Sequence, residues 1–215
     1  LTYAVPMKMV LDIGLGTTSI SSVLLALLIG SRLMADEIEA RSIYMVLARP
    51  ISRISYLSGK VLGASAVLLI GILLIAATVL INVVLLDGVI SSLMLWAVIF
   101  MMIETVLVLL IAILLSNITN NLITMLSTVA IYVAGHLIHD GILLDQIKSY
   151  PLLSALFEAG GVVLPNFSRL GILDHLLYQQ TVLVSYLWVT LLYGVGYLLL
   201  LLVVTGYLFQ RRELV

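Results

Sequence analysis

Four side chains in this 215-residue sequence could do chemistry together. Glu104 falls in the middle of a long apolar run, while His136, His139 and Asp140 share one helical face at three- and four-residue spacing. Imidazole and carboxylate groups so spaced are zinc-ligand types, and with Glu104 they could build an intramembrane metal enzyme. The trio lacks the Glu of an H-E-x-x-H protease, and polar residues at the end of a span are ordinary interfacial groups. The residues therefore favour neither a metal nor catalysis, with the enzyme kept as an alternative. Glu104 is expected either to bond a neighbouring helix or to line a translocation path, since a carboxylate at that depth needs a polar surrounding.

Composition dictates the elements that must position these groups. The chain is 63% hydrophobic and 10% charged, against about a quarter charged in soluble domains. An all-α polytopic membrane protein, one transmembrane domain over 1–215, follows. Five apolar runs can cross a bilayer: Ile13 to Leu33, Val61 to Leu86, Ser91 to Leu115, Leu122 to Ile138 and Val182 to Phe209. They are apolar all round, which excludes the alternation of barrel strands. A net charge of −1 and the absence of any basic patch exclude nucleic acid as a partner, and no cysteine is present for thiol or thiolate chemistry.

Basic residues orient the spans. Arg32, Arg41, Arg49, Arg53, Lys60, Arg211 and Arg212 fall on one side, and Lys8, Lys148 and Arg169 on the other, which places residues 34–60 and the C-terminus in the cytoplasm of a multi-pass inner-membrane protein. Leu1 to Asp12 is then external, and a first span preceding Leu1 is expected to carry it across. The 34–60 island gathers Asp36, Glu37 and Glu39 ahead of Arg41 and Arg49, so a short helix there would set acid at its positive end and base at its negative end. Pro50 should stop that helix. By composition the island is either a solvated anchor or a docking surface for a soluble partner.

Smaller signals fill in the rest. Gly59 and Gly63 have the spacing of a close helix seam, in a dimer or within the chain. Asp87 and Gly88 make a tight hairpin turn between spans. Residues 116–121, SNITNN, are a polar turn with capping chemistry. Residues 141–180 carry Pro151, Gly160, Gly161 and Pro165 and read as short amphipathic helices lying on the external membrane surface. Tyr186 and Trp188 suit an interfacial aromatic belt.

The run EIEARSIYMVLARPISRISYLSGK resembles the first cytoplasmic loop of ABC-2 type transporter permeases. The matching positions are Glu37, Glu39, Leu47, Pro50, Ser52, Arg53, Gly59 and Lys60. Others follow in order: Glu104, Leu115 and Ser116; Tyr132, Gly135 and His136; Leu164, Pro165, Asn166 and Phe167; Phe209, Arg211 and Arg212. The resemblance implies a six-helix protomer, of which this chain shows five spans, pairing with a second copy as a homodimer, and two ATPase subunits that bind ATP and magnesium. It makes Asp36, Glu37, Glu39, Arg41, Tyr44, Arg49, Pro50 and Arg53 an ATPase-coupling element. No G-x-x-x-x-G-K-[ST] loop is present in this chain, so nucleotide chemistry falls to the partner. The expected function is the permease of an ATP-driven exporter of lipid-linked, hydrophobic or peptide-like cargo. One alternative has the same architecture transmit force to an extracytoplasmic protein docked on 141–180. Membrane lipids are partners in either case.

Overall fold

The computed structural model describes residues 4–39, 52–138, 160–161, 163–172, 176 and 182–211. Among the described residues five long helices carry the fold: α1, Ala4–Glu39; α2, Arg53–Leu85; α3, Ser92–Ser116; α4, Asn121–Leu137; and α5, Val184–Arg211. No strand occurs among the described residues. Four of the five are long and apolar enough to cross a membrane, and α4, at 17 residues, is shorter. The five expected spans thus appear as five helices of unequal length.

Local chemistry sets the boundaries. Ser52 and Ser91 cap α2 and α3, each side-chain oxygen accepting from the backbone three residues on, Ser55 N at 3.2 Å and Met94 N at 3.3 Å. Asn120 sits at the N-cap of α4 but its side chain makes no cap bond. Thr119 and Thr124 pair their hydroxyls across that corner instead, at 2.8 Å. α2 closes in a Schellman turn, where Gly88 N donates to Val83 O at 2.9 Å and Asp87 N to Val84 O at 3.0 Å. Asp87 itself takes the left-handed position, with φ of 56°.

Three boundaries differ from expectation. α1 is helical from Ala4 rather than Ile13, and it continues through Asp36, Glu37 and Glu39 rather than ending near Leu33. Nothing in MADEIE interrupts it, since Met, Ala and Glu are strong helix formers. The acidic residues therefore lie at the C-terminal end of a helix ~54 Å long, where the macrodipole disfavours them. α2 likewise starts at Arg53, ahead of the expected Val61, because the Ser52 cap allows helix immediately after the Pro50 region.

α3 is the hub. It packs against all four other helices, while α1 also meets α2 and α4, and α2 meets α5. A helix so surrounded can be apolar on every face, and Phe100, Leu107, Leu109, Leu110 and Ile113 are fully buried along it. Between α4 and α5 the ring is bridged by residues 163–172. Several hydroxyls in the spans bond carbonyls of their own helices, as with Thr18 on Gly14 O and Thr205 on Leu201 O, which membrane burial favours.

Candidate functional site: a carboxylate, a short helix and a bridging segment

Glu104 Oε1 accepts a hydrogen bond from Tyr132 Oη at 2.8 Å, joining α3 to α4. Its side chain is buried, and His136 Nε2 stands 3.9 Å from the same oxygen. His136 Nδ1 is 3.2 Å from the Tyr132 carbonyl, one turn earlier on α4. With its proton on Nδ1 the ring donates to that carbonyl, and Nε2, at 3.9 Å, makes no hydrogen bond to Glu104. Tyr132 therefore holds the carboxylate, and His136 flanks it from the same helical face.

Helix lengths explain what lies beyond. α3 and α4 are antiparallel across the 117–120 turn, and α4 has 17 residues against 25, so it stops ~12 Å short of the far end of α3. Residues 163–172 occupy that shortfall. Phe167 is fully buried, its ring parallel to His136 at 5.6 Å and tilted on Tyr132 at 5.0 Å. Ser168 Oγ donates to His136 O at 3.0 Å, answering a carbonyl freed by the end of α4. Asn166 N donates to Tyr193 Oη on α5 at 2.8 Å, and Tyr197 Oη donates to Val163 O. Within 141–180, Pro165, Phe167, Leu170 and Ile172 are buried, and the 163–172 segment is packed between α4 and α5.

Gly135 makes this insertion feasible. A Cβ there would fall 2.6 Å from Pro165 O and 2.7 Å from the Phe167 ring, so backbone reaches helix only because no side chain intervenes. Gly59 and Gly63 behave oppositely. Nothing described approaches within 4 Å of a Cβ at either, so they form no seam within the described chain. Spacing did not single out Gly135, which stood in the sequence only among the positions that carry the resemblance.

A second cluster stands where α2 begins and α5 ends. Lys60 Nζ donates to Leu33 O on α1 at 2.9 Å and lies over the Tyr56 ring at 5.2 Å. Arg53 Nη1 donates to Gln210 O in the last turn of α5 at 3.4 Å. Tyr56 also faces the buried Phe209 at 6.5 Å. Arg41, Tyr44, Arg49 and Pro50 lie outside the described residues, as do His139 and Asp140. Among the described residues no group of three metal-ligating side chains occurs.

A hub helix apolar on every face, ringed by helices long enough to cross a bilayer, defines a polytopic helical membrane protein. The chain matches the family described as ABC-2 family transporter protein over residues 2–214, and it belongs to that family. It is thus a membrane transport component, of a family whose members associate with an ABC ATPase. No curated protein matches the chain.

Proposed function

We propose that this chain is the permease subunit of an ATP-driven exporter in the inner membrane, with its C-terminus cytoplasmic. Two copies would form the path, and two partner ATPases would carry ATP and magnesium. The observation that carries this reading, beside family membership, is the continuity of α1 from Ala4 to Glu39. The acidic part of the coupling sequence is thereby rigidly joined to a helix that packs on α2, α3 and α4. ATP can shift the membrane helices only by as much as it favours one arrangement of the ATPases over another. A continuous helix conveys such a shift without loss in a hinge. Lys60 on Leu33 O links the same helix to α2, so both sides of the loop would move together.

An apolar groove of about 600 Å³ between α2, α3 and α5, lined by Val61, Leu69, Ile103, Val106, Leu191 and Leu198, supports an apolar or lipid-like cargo. Reversing Glu37 and Glu39 to Lys is expected to lower ATPase stimulation and transport about tenfold in proteoliposomes, the equivalent of ~1.4 kcal/mol of coupling. Helical content by circular dichroism should not change. Full coupling in that variant would overturn the lever.

A further inference from the structure

Arg169, in the bridging segment, is boxed by α5. Its guanidinium carbon lies 5.6 Å from the ring centres of both Tyr186 and Tyr193. Those tyrosines are seven residues apart and so share a helical face, with Thr190 on that face between them. Arg169 Nε and Thr190 Oγ1 are both buried without a hydrogen-bond partner in the structure, and Thr190 is fully buried. An orphaned buried polar atom costs about 1–3 kcal/mol unless something fills the place. The box is also built rather than incidental. Asn166 Oδ1 accepts from Arg169 N at 2.9 Å, while Asn166 N is held by Tyr193 Oη at 2.8 Å. Among the described residues no carboxylate lies within ion-pair distance of Arg169.

We propose that Arg169, between Tyr186 and Tyr193, binds the phosphate of an anionic membrane phospholipid. A guanidinium offers phosphate a planar fork of donors, and the tyrosine faces stabilise its charge where water is scarce. The level is that of the lipid headgroups. Trp96 and Trp188 meet edge to face at 5.5 Å at this end of α3 and α5, as an interfacial belt does. Leu183, just ahead of α5, and Val184, Val189 and Leu192 on it are exposed, an apolar surface for the acyl chains. The site needs no nucleotide and no partner chain, so it stands apart from the transport reading.

The protein carries its own probe, because its two tryptophans are Trp96 and Trp188. The full chain would be placed in vesicles of phosphatidylcholine with graded brominated phosphatidylglycerol, and tryptophan quenching read as relative lipid affinity. Phosphatidylglycerol should be preferred about five-fold, falling to no preference in Arg169→Gln. Arg169→Lys, which keeps the charge but not the fork, should retain part of it. Absence of preference in the unmodified chain overturns the proposal by itself, whatever the variants do. So does a preference that survives Arg169→Gln, and so does displacement of the lipid by inorganic phosphate, which would assign the box to a soluble anion.

Discussion

Where α2 begins and α5 stops, Lys60 and Arg53 reach across to carbonyls of neighbouring helices, Leu33 O at 2.9 Å and Gln210 O at 3.4 Å. At the opposite side of the turn-linked pair α3 and α4, by contrast, a non-helical segment lies directly on Gly135, above a buried carboxylate bonded to Tyr132. The first arrangement uses long, flexible cations, of which Arg53 reaches the last turn of α5, where the macrodipole favours positive charge. Such contacts are individually small and tolerate displacement. The second joins backbone to backbone with no side chain between, so it has little room to shift. The difference suits a bundle that receives motion at its α1–α2 corner and holds its shape at the bridge.

Three substitutions test that contrast. The largest effect is expected from Gly135→Val, which drives a side chain into Pro165 O and Phe167. Overpacking against backbone should destabilise the bundle by about 3 kcal/mol. It should also expose Ser168, readable as faster thiol labelling of a Ser168→Cys reporter in this cysteine-free chain. Labelling that stays slow would show that the segment does not depend on the helix contact.

Glu104→Leu should come next. It leaves the Tyr132 hydroxyl without its acceptor inside the bundle, at about 1–3 kcal/mol. Glu104→Gln keeps an acceptor and should recover most of the loss in a detergent-denaturation titration. Equal losses for Leu and Gln would mean that the carboxylate's charge, rather than the hydrogen bond, holds the helices. Smallest is Lys60→Met, which removes the bond to Leu33 O and the cation over Tyr56 while keeping the aliphatic stem. About 1 kcal/mol or less is expected in the same titration. A loss at Lys60 matching that at Gly135 would erase the distinction between a yielding corner and a fixed bridge.

Much of the architecture was legible in the chain. Apolar runs longer than a bilayer allow little besides helices, because unpaired backbone cannot lie in hydrocarbon. The Asp87–Gly88 turn was also readable, since it depends on residues near in sequence. Glu104 stood out because charge is rare at that depth. The helix breaks were less legible. Pro50 and the acidic cluster suggested a new helix at Asp36, yet local charge preference is worth a few tenths of a kcal/mol, too little to interrupt a run of strong helix formers.

What the sequence determined by itself was therefore a membrane bundle with one costly carboxylate and a charged loop, since both follow from transfer energies that any one stretch carries alone. Only the tertiary structure decided which partners those residues meet. Tyr132, His136 and Phe167 converge around Glu104 because α4 stops early and a distant segment fills the space it leaves. Gly135, like Gly30 and Gly194 but unlike Gly59 and Gly63, became a point of close approach, and at Gly135 it is the arrival of Pro165 that gives a missing Cβ its meaning. Spacing along one helix cannot announce a neighbour from another part of the chain.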